Sequence, residues 1–413
     1  MTASREPPLP PRLEEEKKGP RRMTYQELCA FEVLYDAYLE ARKRKRKKPA
    51  TAQYEANVLA YTDRLSHILE AKTYRPGKFE TFYVFEPKKR LVQAPAFVDK
   101  VVLHAITDNV LYDAITRSFI RDNYASQKRK GTHDGLGRLK WAMTDYYRKH
   151  GNADGWVLKA DVHHFFASID HDLLKRKLIA LFERRNLDPE ILELLFIYID
   201  TTAGLPLGYQ TSQLFALMFL DEFDHAIKER FGVRYYGRQM DDFFIIEESK
   251  ERLQGLLRDI RTIVGGLGLE LNNKTAIFPL RNGIDFLGFH AYLTDTGAVV
   301  QRLRRDSINR MKSRIKYWAT AYPAGEVTKD EIKDSWTAWD AHAAHGDTYA
   351  LRTKIAQQVG AIIGEPLQPR RKITASPSVR QLRRLRQQRR SQPQNPPEAP
   401  ALAVRPDGIP PWE

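Results

Sequence analysis

An adjacent acidic pair, Asp241-Asp242, stands between Tyr235-Tyr236 and the apolar run Phe243-Phe244-Ile245-Ile246. Aromatic and β-branched flanks with the acids at their junction read as a β-hairpin with the carboxylates at its turn. Two unit charges about 4 Å apart repel by roughly 4 kcal/mol at an effective dielectric near 20, so such a pair is more comfortable beside a cation. A third carboxylate, Asp161, ends a predicted strand in Lys159-Ala160-Asp161-Val162-His163-His164-Phe165-Phe166. Hard oxygen donors suit Mg²⁺, and two such ions about 3.5–4 Å apart activate an attacking hydroxyl and stabilise a leaving phosphate oxygen. The chemistry these residues fit is nucleotidyl transfer. An isolated Asp-Asp is ordinarily a solvated turn, but the unbroken apolar run after this one predicts a buried strand, where unpaired acids are costly.

Other segments must position these acids. Apolar spacing predicts helices over Thr24–Leu39, Ala52–Ala71 (Val58, Tyr61, Leu65, Ile68 and Leu69 inward) and Val98–Phe119. Thr81–Pro95 alternates as a hairpin whose tip, Pro87-Lys88-Lys89-Arg90, is placed to grip a triphosphate or a template backbone. Gly131-Thr132-His133 reads equally as a phosphate-touching loop or a helix start. His163 and His164, adjacent in a strand, are expected on opposite faces and so cannot chelate one ion together. Gly204–Gln213 is a Gly/Pro loop feeding an apolar helix over Leu214–Ile227, a place to present backbone amides and the Gln213 amide to a nucleotide. Leu253–Leu267 is predicted helical, Gly268–Asn272 a strand delivering Lys274, and Phe286–Phe289 a short hairpin element. Beyond Arg302 the pattern is helical and basic, with Ile308, Met311, Ile315 and Trp318 inward, and further helix is expected over Asp334–Ile355.

The chain has 413 residues, 42% of them hydrophobic, and a formal charge of +15. That is enough to bury a core split into two or three subdomains, and the charge favours a polyanion, nucleic acid above all. The basic block Arg42–Lys48 reads either as a solvated charge run or as a phosphate-binding segment. No apolar run reaches the ~18 residues of a membrane span and the N-terminus has no apolar signal core, so a cytoplasmic protein without a membrane partner is expected. The single cysteine, Cys29, excludes an intrachain disulfide and a cysteine-based zinc site and is expected in the core. Residues 1–22 and 370–413 are Pro- and charge-rich and are expected to be disordered tails, the second with Arg380, Arg383, Arg384, Arg386, Arg389 and Arg390 available to nucleic acid.

The order of these motifs resembles bacterial reverse transcriptases: Asp161 with Phe166, then Gly204-Leu-Pro-Leu-Gly-Tyr-Gln-Thr-Ser-Gln213, then Met240-Asp241-Asp242, then Gly268–Thr275, then Phe286-Leu287-Gly288-Phe289. The likeness spans about residues 50–355. Thr73-Tyr74-Arg75-Pro76-Gly77 and Lys130-Gly131-Thr132-His133 resemble the group II intron-related branch, near the enzymes of diversity-generating retroelements and phage-defence systems.

The resemblance implies an α/β (α+β) right-hand polymerase: N-terminal helices and fingers over 23–150, an antiparallel-sheet palm over 151–300 and a helical basic thumb over 301–369. It implies that Asp161, Asp241 and Asp242 are catalytic and hold two Mg²⁺ ions, Mn²⁺ being an alternative, with the Val162 carbonyl near the triphosphate. Phe166 would be the steric gate against a ribose 2′-hydroxyl. Lys88 and Arg90 would grip the triphosphate, Pro206, Gly208 and Gln213 would line the nucleotide pocket, and Lys274 could protonate the leaving pyrophosphate. Gln239, Met240, Phe286 and Gly288 would lie near primer and template. The implied partners are an RNA template, a DNA product, deoxynucleoside triphosphates and, in such systems, a noncoding RNA and an accessory protein.

One position departs from the family. The residue two before the acidic pair is usually aromatic and here is Gln239. Three readings follow: templated synthesis with altered behaviour, template-independent synthesis at the same site, or a nucleic-acid-binding scaffold with a degenerate site. The intact set of three aspartates argues against the last.

Overall fold

The computed structural model describes residues 22–85 and 90–370, with the side chain of Arg90 excluded. The expected tails, apart from Arg22 and Arg370, and residues 86–89 of the hairpin therefore lie outside the described residues. Two compact units divide within the helix Arg305–Ala321, the first ending at Arg314.

Among the described residues, nine strands belong to the first unit. They are β1 (Glu80–Val84), β2 (Arg90–Ala94), β3 (Trp156–Asp161), β4 (Tyr235–Gln239), β5 (Asp242–Glu247), β6 (Ala276–Pro279), β7 (Ile284–Phe286), β8 (Phe289–Leu293) and β9 (Val299–Leu303). β1 and β2 form the expected hairpin. The central sheet runs β4-β5-β3-β6, antiparallel throughout. Alternation splits its side chains between two cores. Leu158, Ala160, Tyr236, Phe243 and Ile245 pack toward the N-terminal helices, whereas Val157, Tyr235, Phe244 and Ile246 pack toward the helix Thr132–His150 and the small sheet β7-β8-β9. Hence Phe243 through Ile246 are all 0% exposed, which is why their run is unbroken. Cys29 is a buried core residue, as expected.

Several boundaries differ from expectation. The first helix breaks at Ala30, between Tyr25–Cys29 and Phe31–Ala41. The second breaks at Asn57 (φ −129°), and Tyr61, expected inward, is exposed. Gly131 precedes the helix Thr132–His150, so that segment is a helix start. Gly268–Asn272 is not a regular strand. Gly268 takes φ +70° to end the helix Lys250–Gly266, with the Leu269 N–H donating to the Val264 carbonyl, and only Leu271 makes an isolated bridge, to Val162. The strand β6 starts after Lys274 instead. The apolar helix begins earlier than predicted, at Gln210.

In the second unit the helices Lys329–Ala343 and Tyr349–Ile363 replace the single span expected over 334–355. Thr328 caps the first of them in a reciprocal box with Glu331. Arg352 and Asp340 form a buried ion pair, with Nε to Oδ1 at 2.7 Å. Among the described residues no helix is long and apolar enough to cross a membrane.

Candidate active site

Met240 and Asp241 form the two-residue turn joining β4 to β5, and Met240 takes φ +59° there. A left-handed methionine carries strain that something must hold. Arg238 does so, donating from Nη1 to the Met240 carbonyl at 2.7 Å. The same guanidinium donates from Nε (2.7 Å) and Nη2 (2.5 Å) to Asp224, and both side chains are wholly buried. Asp224 also accepts from the Tyr236 hydroxyl at 2.5 Å and the Asn123 amide at 3.4 Å. Each nitrogen of the guanidinium thus has an acceptor, and the arginine pins the acidic turn to the helix Asp221–His225.

Register brings the acids together. Asp161 is the antiparallel partner of Asp242, and the Val162 N–H donates to the Asp241 carbonyl at 3.3 Å. Asp161, Asp242 and Lys159 share one face, two residues apart along β3 and opposite across to β5. Lys159 forms an ion pair with Asp242, and its ammonium lies 5.4 Å from the centre of the Phe286 ring. Burial pushes the Lys159 ammonium down to about 8, against the upward pull of Asp161, Asp241 and Asp285. The cation expected beside the acidic pair thus exists within the chain. The period-two signal for it, a lysine two residues before Asp161, was present in the sequence.

The residues expected at the nucleotide pocket converge through backbone contacts. Gly204 (φ +66°) sits so close to the strand-to-helix segment that a Cβ would come 2.7 Å from the Phe166 carbonyl oxygen, and the Leu205 N–H donates to that oxygen at 2.7 Å. A Cβ at Gly208 would come 2.0 Å from the Gln93 carbonyl oxygen at the base of the β1–β2 hairpin. The two glycines therefore clamp the buried Pro206 loop between Phe166, which is half-buried, and β2. Gln213 is exposed in the first turn of its helix and accepts from the Ser126 hydroxyl at 2.5 Å. The Asn272 N–H donates to the Asp161 carbonyl at 2.7 Å and the Lys274 N–H to the Asn272 side chain at 3.0 Å, so the exposed Lys274 is tethered beside Asp161.

Other expectations fare differently. Lys88 and the Arg90 side chain lie outside the described residues. Gln239 pairs with Asp242 across the hairpin, and its side-chain oxygen is buried without a hydrogen-bond partner. Gly288 lies in the β7–β8 turn with φ +86°. Phe286, expected near primer and template, is instead a core residue, 1% exposed and 5.1 Å from Phe244 ring to ring. His163 and His164 do not continue the strand. His164 turns left-handed (φ +44°) and the two exposed rings lie 4.0 Å apart, not on opposite faces.

Among the described residues, no three His, Cys, Asp or Glu side chains are gathered closely enough to form a metal-holding group. The donor chemistry nevertheless fits a hard divalent ion: three carboxylates at one end of the central strands, one of them paired with Lys159. Arg238 and Lys159 are the two residues that sequence reasoning missed.

Residues 86–291 match the family model described as reverse transcriptase (RNA-dependent DNA polymerase). The mixed helix and antiparallel-sheet architecture is that of this fold. No curated protein matches the chain. Similar solved structures include apo telomerase from Candida tropicalis, at 13% identity and a TM-score of 0.46, with 71% of this chain and 60% of that one covered. Telomerase from Candida albicans in complex with a fragment of telomeric RNA is similar at 14% identity and a TM-score of 0.43, over 70% and 62% of the two chains. The chain thus spans less than two thirds of the length of either telomerase.

Proposed function

We propose that this chain, which carries a reverse transcriptase domain over residues 86–291, is an RNA-directed DNA polymerase that adds deoxynucleotides to a primer 3′-hydroxyl. The observation that carries this reading is the register pairing of Asp161 with Asp242 beside the Asp241 turn, three carboxylates at one end of the central strands. In this reading those three side chains hold the divalent ions, Mg²⁺ or Mn²⁺, with the Val162 main chain alongside. Bound there, such ions lower the pKa of the attacking hydroxyl and neutralise charge on the phosphates. The protein's own part is mostly positioning. Phe166, fixed through the Gly204 loop, gates the ribose. The Pro206–Gly208 loop and Gln213 line the nucleotide pocket, Lys88 and Arg90 grip the triphosphate, and Lys274 donates a proton to the pyrophosphate leaving group. Gln239, Met240 and Gly288 face primer and template.

A second reading has one observation of its own. Gln239 replaces a ring that would stack on the primer–template pair, and its buried, unpaired oxygen seeks a donor. Synthesis that is loosely templated or untemplated is the variant this favours. The motif likeness to the group II intron-related branch further supports a role in phage defence or a diversity-generating retroelement, with a noncoding RNA and an accessory protein as partners.

The test is sequencing of nucleic acid copurified with wild type and with a D241A/D242A variant, after incubation with deoxynucleotides and Mg²⁺. DNA made only by wild type and complementary to a bound RNA supports templated reverse transcription. Repetitive DNA matching no bound RNA supports the Gln239 variant, and no product from either protein overturns the polymerase reading.

A further inference from the structure

The N-terminal helices hold a cavity of about 610 Å³ that the palm chemistry leaves unused. Tyr54, Tyr61 and Phe97 line it, with Gln53, Arg64 and Arg75 at its polar positions. Tyr54 is rigid. It stacks on Tyr38 at 5.5 Å, meets Phe97 at 5.2 Å and Tyr61 at 5.6 Å, and shares a hydrogen bond with Thr62. Tyr61, one turn before Arg64 on the same helix, is 36% exposed.

Positive charge gathers beside the same cavity, whose lining includes Ala50, two residues after Lys48, and Val98, two residues before Lys100. Glu55 pairs with Arg42 and Arg46, and Glu40 with Lys43, so part of the 42–48 block is neutralised. Lys45 and Lys48 have no ion-pair partner among the described residues. Lys48 precedes the helix Pro49–Ala56, which supplies Gln53 and Tyr54, and Lys100 belongs to the helix that opens with Phe97. The Lys100 ammonium is held below its ordinary value, first by burial and then by Lys45 and Lys48. The neighbouring Asp99 is committed to the Tyr74 hydroxyl and the Gly77 N–H. Lysines crowded together beside the exposed ring of Tyr61 match a ligand that alternates phosphates with flat rings.

We propose that this cavity is a second nucleic-acid site, which stacks an unpaired base of a single strand on the exposed face of Tyr61, backed by Tyr54, while Lys45, Lys48 and Lys100 take the flanking phosphates. It stands independently of the palm reading. A single strand enters because its bases are free to stack, whereas a duplex keeps them paired.

The experiment uses a fluorescent 12-nucleotide single strand of mixed sequence, as RNA and as DNA, with an RNA duplex as control, titrated with the full chain in EDTA so that no synthesis occurs. Y61A is expected to bind the single strand about five- to tenfold more weakly and Y61F to bind like wild type. K45Q/K48Q is expected to flatten the salt dependence by about one in log–log slope. Comparison of the RNA and DNA arms tells template from product as the occupant. Ultraviolet cross-links at Tyr61 or Tyr54 support the site. Cross-links confined to residues 156–293, or Y61A binding equal to wild type, overturn it and leave the palm reading untouched.

Discussion

Arg238 and Lys159 are both cations on the central sheet, and each is paired with an aspartate. Their surroundings differ. Every polar group of the Arg238–Asp224 pair is answered, both side chains are fully buried, and the guanidinium has donors left to hold the Met240 carbonyl. Around Lys159 the balance is incomplete: one ammonium serves Asp242 while Asp161 and Asp241 stand close enough to act on it, and the Lys159 and Asp242 side chains remain 19% and 34% exposed. A closed network in low dielectric fixes geometry, whereas an open one with surplus charge of one sign is a binding site. In the proposed reading the first region is the frame and the second the working end of the sheet.

Breaking each region should give different failures. D242N or D241N is expected to cut deoxynucleotide incorporation by roughly a thousandfold or more, because one of the three carboxylates that would hold the metals is lost. Thermal unfolding should stay near wild type, since like-charge repulsion is relieved. A variant that unfolds readily yet keeps its turnover would erase the distinction between frame and working end.

Removal of one partner of the closed pair, in R238M, should cost about 3–5 kcal/mol in denaturant unfolding, because Asp224 is left buried and uncompensated. A loss below about 1 kcal/mol would mean that water reaches Asp224 easily. Removal of Lys159 sharpens the comparison from the other side. K159M should tighten Mn²⁺ binding about tenfold, or ~1.4 kcal/mol, by withdrawing a competing positive charge. Weaker Mn²⁺ binding, read by titration calorimetry, would make Lys159 a support of the acids instead.

The smallest effect is expected at an exposed charge cluster. Lys329 and Lys333 hold the Glu365 carboxyl down at about 2, at distances of 2.8 and 2.7 Å. A depressed carboxyl stabilises the fold above its ordinary value of 4.5 and loses that contribution as pH falls toward 2. E365Q should therefore flatten the acid limb of the unfolding curve slightly and leave neutral pH almost unchanged.

The acidic end of the sheet was legible because strand alternation is a strict local code. It placed Asp161, the hairpin at Asp241-Asp242 and the doubly buried Phe243–Ile246 strand. The same code put Lys159 on the face of Asp161, though only the β3–β5 register shows that it meets Asp242. Arg238 was not legible. Its partner Asp224 sits 14 residues earlier on a helix, and nothing local links them. Gly268 misled because a glycine before Leu-Glu-Leu looks like a strand entry, when its φ of +70° closes the preceding helix. Phe286 misled similarly, since an aromatic beside a turn glycine reads as a contact surface until the second core is seen beneath it.

The central claim is that Asp161, Asp241 and Asp242 are a divalent-cation site held in shape by Arg238. Electron paramagnetic titration of Mn²⁺ into wild type and D241N/D242N tests it most directly. The account predicts saturable binding by wild type and its loss in a variant whose thermal unfolding is unchanged. Equal Mn²⁺ binding by both proteins would contradict it.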